Sequence, residues 1–93
     1  MGESSEPSRV VAITNKRGLH ARASARFVKL TETFDAAVEV QKDGAVVPGT
    51  SIMGLMMLAA GPGSEIEIRA SGPEAAAAMD ALCTLVEEKF GEE

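Results

Sequence analysis

The chain has 93 residues, 45% of them hydrophobic and 25% charged, with a formal net charge of -5. That length suits one domain with a modest core, and the composition excludes a disordered chain, a collagen-like repeat and a disulfide-stapled miniprotein. The single cysteine, Cys83, cannot close an intramolecular disulfide, and no apolar run approaches the roughly 20 residues needed to span a bilayer.

Met1 to Ser8 carries acids where a signal peptide needs bases, with no apolar stretch behind them. It reads as a flexible lead to a single domain over residues 9–90, with 91–93 as a tail, and the expected location is the cytoplasm. Val10 to Ile13 is a short β-branched run that suits a strand over Arg9 to Thr14, and Asn15-Lys16-Arg17-Gly18 breaks it as a loop. Ala23, Phe27, Leu30 and Phe34 then fall at steps of four, three and four, the stripe of an amphipathic helix that starts near Leu19 to Ala21. Val38 and Val40 alternate with polar residues as in a half-buried strand. Asp43-Gly44 predicts a tight hairpin to a returning strand over Ala45 to Val47.

Thr50-Ser51 offers a capping hydroxyl before a helix predicted over Ile52 to Ala60, which Gly61-Pro62-Gly63 stops. Glu65 to Arg69 alternates again, a strand with one wet face. Ser71-Gly72-Pro73-Glu74 opens the last helix, with Pro73 placed at its first position and Ala75, Met79, Leu82 and Val86 as its inner stripe. The order is βαββαβα. It predicts an α+β fold with a mainly antiparallel sheet and its helices on one face.

Arg9, Lys16, Arg17, Arg22, Arg26 and Lys29 all fall between Glu6 and Glu32, a stretch without an acid in an otherwise acidic chain. Such a local positive patch attracts an acidic protein surface or an anionic group such as phosphate. The only histidine, His20, stands inside this patch at the mouth of the first predicted helix. Free backbone N–H groups and the positive end of the helix dipole point at that place. A neutral ring nitrogen there is a competent nucleophile towards phosphorus, and the amides and Arg22 can hold the phosphoryl oxygens once attached. Residue chemistry alone leaves two readings open: a phosphate-handling histidine, or a surface or capping one.

Gly18-Leu19-His20-Ala21-Arg22-Ala23-Ser24 resembles the active-site signature of the HPr family, the histidine phosphocarriers of the bacterial phosphoenolpyruvate-dependent phosphotransferase system. Thr50-Ser51-Ile52-Met53-Gly54-Leu55-Met56-Met57-Leu58 resembles that family's regulatory-serine segment, in the family's order and spacing, and the likeness runs from about Arg9 to Phe90. The resemblance implies an open-faced β-sandwich of four antiparallel strands with three helices on one side. It implies that His20 takes a phosphoryl group on Nδ1 from enzyme I and passes it to EIIA-type proteins. Arg22 would steady the phosphohistidine, and Ser51 would be the target of an HPr kinase/phosphorylase. It also implies a docking surface that includes Arg22, Ser24, Phe27 or its neighbours, Ile52, Met53 and Met56. Two positions depart from the family's habit. Ala23 stands where proline is frequent, and Arg17 stands where many members carry a small or polar residue; Arg17 would strengthen the positive field and tune the choice of partner.

The resemblance implies no cofactor, and a single His and a single Cys distant in sequence do not make a metal site. Cys83 reads as a buried inert thiol, and Gly61-Pro62-Gly63 as a helix stop rather than a nucleotide loop. The chain is expected to work as a monomer and not as an enzyme in its own right. A regulatory interaction module of the same fold, controlled by serine or histidine phosphorylation, is the alternative; the presence of both His20 and Arg22 favours the carrier. A nucleic-acid-binding domain fits poorly with an acidic chain that has no Trp, no Tyr and three Phe. Sugar uptake and a nitrogen-type regulatory branch are both compatible with these residues.

Overall fold

The structure, a computed structural model, describes residues 7–92. Strands β1 (Ser8–Ala12), β2 (Ala37–Lys42), β3 (Ala45–Pro48) and β4 (Glu65–Ser71) form one sheet in the order β1-β4-β2-β3, every neighbour antiparallel. Helices α1 (Ala21–Thr31), α2 (Ile52–Met57) and α3 (Ala75–Glu87) intervene, and a 3-10 turn over Lys89–Gly91 follows. This is the βαββαβα order and the α+β class that the residue pattern predicts.

The alternation of apolar and polar residues is what makes the sheet one-sided. Val38 and Val40 of β2 and Ile66, Ile68 and Ala70 of β4 are buried, while their polar neighbours face away. The register sets Val40 beside Ile68, Val38 beside Ala70 and Val11 beside Ile66, so the inward side chains form continuous rows. Phe27, Leu55, Met79, Leu82, Val86 and Phe90 pack over those rows. Between β2 and β3, Asp43 and Gly44 both have positive φ (51° and 87°), the backbone of the tight turn that Asp-Gly favours.

Element boundaries depart from the sequence expectation where contacts distant in the chain decide them. β1 begins at Ser8, paired with Arg69, so this residue of the expected lead belongs to the sheet; Met1 to Glu6 lie outside the described residues. The strand ends at Ala12, and Ile13 instead exchanges backbone bonds with Gly63 and Ser64. α1 stops at Thr31, where the backbone tightens to i−3 bonds from Thr33 to Leu30 and from Phe34 to Thr31, and the Thr33 hydroxyl also donates to the Leu30 carbonyl. Phe34 therefore lies in the turn beyond, and the buried face of α1 is Ala23, Ser24, Phe27, Val28 and Thr31. α2 ends at Met57 rather than Ala60, with Ala59 at φ 54°, because the Ala60 carbonyl accepts the Leu19 N–H. α3 starts at Ala75 with Pro73 outside it, since the Glu74 carboxylate accepts from the Asp35 N–H at 2.6 Å instead of capping its own helix.

Candidate functional site

The approach of two loops places His20. The Leu19 N–H donates to the Ala60 carbonyl at 2.9 Å, so the segment after α2 forms the back wall of the loop before α1. Gly18 has φ +63°, and a Cβ built there would lie 2.2 Å from the Ala60 oxygen. Only glycine combines that left-handed backbone with that closeness. The chain leaves this turn with His20 as the N-cap of α1, extended at φ -79° and ψ -175°.

The histidine caps with its ring. Its carbonyl accepts from the Ser24 N–H at 2.8 Å, and its side-chain Nδ1 accepts from the Arg22 N–H at 3.2 Å. Nε2 lies 2.6 Å from Oε2 of Glu92. A carboxylate only accepts, so in the neutral ring Nε2 carries the proton, and Nδ1 keeps a lone pair directed at the start of the helix.

Glu92 is held there by its own supports. Its Oε1 accepts from Nδ2 of Asn15 at 3.1 Å, and the same nitrogen donates to the Gly18 carbonyl at 2.9 Å. Phe90 is buried in the core, the Arg26 guanidinium donates to its carbonyl, and positive φ angles at Lys89, Phe90 and Gly91 turn the chain back over the site. The hydrogen bond from His20 holds the Glu92 carboxyl below the usual carboxylate range, helped by Asn15 and the charge of Arg17 and opposed by burial. Asn15 Oδ1 is the one buried side-chain polar atom without a partner among the described residues.

These residues line an open cleft of about 530 Å³ with Thr14, Lys16, Arg17, Arg22 and Lys89. Four basic side chains therefore surround one histidine and one carboxylate, a field that suits an anion with more charge than a single carboxylate.

Arg17 and Arg22 line the cleft with His20 and are exposed. Ser51 stands apart as the N-cap of α2, its Oγ accepting from the Gly54 N–H at 2.9 Å. Ile52, Met53 and Met56 are exposed on that helix. Two expectations need correcting. Ser24 and Phe27 were placed on the docking surface, but both are fully buried: the Ser24 hydroxyl donates to the Leu19 carbonyl, and Phe27 fills the core under α1. Ser24 thereby ties the turn before His20, and neither residue offers surface to a partner. Asn15 and Glu92 are the site residues that sequence reasoning passed over, one read as loop and the other as tail. Among the described residues there is no group of three or more His, Cys, Asp or Glu side chains placed to hold a metal ion. Nor is any helix among them long and apolar enough to cross a membrane.

A family model described as the PTS HPr component phosphorylation site matches residues 7–88. The chain belongs to the HPr family. It is similar to the phosphocarrier protein HPr of Cupriavidus necator, with 48% identity over 84 residues, which cover 90% of this chain and 94% of that one. It is also similar to the phosphocarrier protein NPr of Shewanella violacea, with 42% identity over 84 residues, covering 90% and 92%. Among solved structures, HPr-C-His from Thermoanaerobacter tengcongensis superposes with a TM-score of 0.89 at 40% identity, covering 94% of this chain and 98% of that one. The HPr fold, four antiparallel strands with three helices, is therefore that of this chain.

Proposed function

We propose that this chain is a phosphocarrier of the phosphotransferase system, with His20 as the residue that carries the phosphoryl group and Nδ1 as its point of attachment. The observation that supports this reading is the split environment of the imidazole. Its Nε2 is tied to a carboxylate at 2.6 Å, and its Nδ1 faces an N–H at a helix start. In the transfer, the Nδ1 lone pair attacks phosphorus on the phosphohistidine of enzyme I. The donor P–N bond breaks as the new one forms, and the donor ring leaves with the electron pair. Positive charge that develops on the His20 ring is shared with Glu92 through the Nε2 proton. The Arg22 N–H, relieved of its bond to Nδ1, and the Arg22 guanidinium are then at hand for the phosphoryl oxygens.

The second transfer, to a histidine of an EIIA-type protein, is the same displacement with the roles exchanged. Little is required beyond positioning and charge stabilisation, so an open cleft on a small domain suffices. The partners in this reading are enzyme I and an EIIA-type protein that meet Arg17, Arg22 and the exposed Ile52, Met53 and Met56. The branch served is sugar uptake or the nitrogen-type one. Ser51 is in this reading a regulatory phosphorylation site, since its hydroxyl uses only its acceptor side for the cap. Phosphorylation by phosphoenolpyruvate and enzyme I tests the proposal. An acid-labile gain of one phosphoryl group, absent from His20→Ala, is expected; no gain, or an equal gain on the variant, overturns it.

A further inference from the structure

We propose that the exposed methionines of α2 are a reversible oxidation site, converted to sulfoxides by hydroperoxides, and that this conversion weakens docking of the carrier on its partners. The inference rests on the reading of α2 as part of the docking surface.

Three of the chain's five methionines, Met53, Met56 and Met57, lie in the six residues of α2. Met53 is 71% and Met57 76% exposed, four residues apart on one side of the helix, with Met56 44% exposed beside them. Met79, by contrast, is 1% exposed and packed within the core, where its sulfur meets Cys83. Access of an oxidant to sulfur therefore divides the described methionines into an open group of three and a closed one.

The only thiol does not compete. Cys83 is buried on α3, and burial pushes its pKa up, away from the thiolate that reacts with peroxides. Among the described residues, two-electron oxidation consequently falls on the α2 thioethers. In the step, a methionine sulfur lone pair attacks one peroxide oxygen. The O–O bond breaks, an S–O bond forms, and the other oxygen leaves as hydroxide (alkoxide from an organic hydroperoxide) and takes up the proton lost from the sulfur-bound oxygen, giving water or an alcohol. Sulfur is oxidised by two electrons and the peroxide reduced by two. A dithiol-dependent methionine sulfoxide reductase reverses the change.

The functional consequence follows from what the side chains do. An exposed methionine is apolar and adaptable, suited to partners of unlike shape. A sulfoxide at the same position is polar and branched at sulfur, and must be desolvated to dock. His20 and its cleft contain no oxidisable sulfur among their lining residues, so the chemistry of transfer is untouched.

The test treats the full chain with hydrogen peroxide, maps oxygen gain by peptide mass spectrometry, and measures phosphoryl transfer from enzyme I. Met53 and Met57 are expected to gain oxygen first, with Met79 unmodified at the same dose. The KM of enzyme I for the oxidised chain is expected to rise by about five- to tenfold with kcat within about twofold, and to return after treatment with sulfoxide reductases. A Met53→Leu, Met56→Leu, Met57→Leu triple variant keeps its own KM before and after peroxide. Oxidation of Met79 as fast as Met53 and Met57 would overturn the proposal. So would an unchanged KM after oxidation, a KM shift persisting in the triple variant, or loss of the cooperative thermal transition. Failure of the untreated chain to take a phosphoryl group at all would instead sink the carrier reading, and this proposal with it.

Discussion

Oε2 of Glu92 stands 2.6 Å from Nε2 of His20, although the two residues are 72 positions apart in the chain. Both are largely but not wholly shielded from solvent, with 24% and 22% of their side chains exposed. The carboxylate leaves the imidazole one free nitrogen, Nδ1, which points at the amide of Arg22. A residue near the C-terminus thereby sets which ring nitrogen keeps its lone pair.

Glu92→Gln and Glu92→Ala are expected to slow phosphoryl transfer by about three- to tenfold, the scale of one charge-assisted hydrogen bond. They should also raise the share of the Nδ1-protonated tautomer. Because Glu92 acts through His20, nitrogen chemical shifts of the ring distinguish this role from a merely structural one. Unchanged tautomer populations in both variants would contradict it.

The lowered pKa of Glu92 gives the contact a definite pH dependence. A carboxyl whose folded pKa lies below its ordinary value, 4.5 here, stabilises the fold above that value and loses the contribution as pH falls through the folded pKa. The stability difference between the native chain and Glu92→Ala should be present above that ordinary value and vanish as pH falls through the folded pKa. Denaturant melts on the acid side would show it, and a difference that survived undiminished below the folded pKa would have the wrong sign.

Gly18→Ala should be the most damaging single methyl in the site. It meets the Ala60 oxygen at 2.2 Å from a left-handed backbone. A loss of about 2–4 kcal/mol is expected, with a fall in Tm of roughly 10–20 °C for a domain of this size. A Tm within 3 °C or so of the native value would show that the Gly18–Ala60 approach is not constraining.

Phe27 and Arg22, five positions apart on α1, should behave oppositely. Phe27→Ala removes a fully buried ring and is expected to cost about 3–5 kcal/mol of stability. Arg22→Ala, at an exposed position, should stay within about 0.5 kcal/mol yet slow transfer about 10- to 100-fold. Thermal melts beside transfer rates separate the two.

Ser51→Ala should cost about 0.5–2 kcal/mol through the lost bond to the Gly54 N–H. Ser51→Thr and Ser51→Asp should recover most of it. Equal stability of all three variants would remove the capping role.

The element order was legible because β2 and β4 alternate and the turns have their own chemistry: Asp43-Gly44 makes the β2–β3 turn, and Gly61-Pro62-Gly63 lies in the loop between α2 and β4. Boundaries failed where a partner distant in the chain outweighs local preference. Ala60 leaves α2 to accept from Leu19, and Glu74 leaves α3 to hold Asp35. At the site, Gly18, His20 and Arg22 were legible because one turn and one helix start contain them all. Glu92 and Asn15 were not, since their contact joins residues 77 positions apart with no periodic signal between them. Ser24 and Phe27 show the opposite failure. Resemblance placed them on a docking face, whereas the helical phase that puts Ala23 inside carries both inward too.

The most direct measurement is nitrogen-15 NMR of the His20 ring, free and after phosphorylation by enzyme I. The account predicts a neutral ring protonated at Nε2 in the free protein and a phosphoryl group bonded to Nδ1 afterwards. A ring protonated at Nδ1, or a phosphoryl group on Nε2 or on another residue, would contradict it.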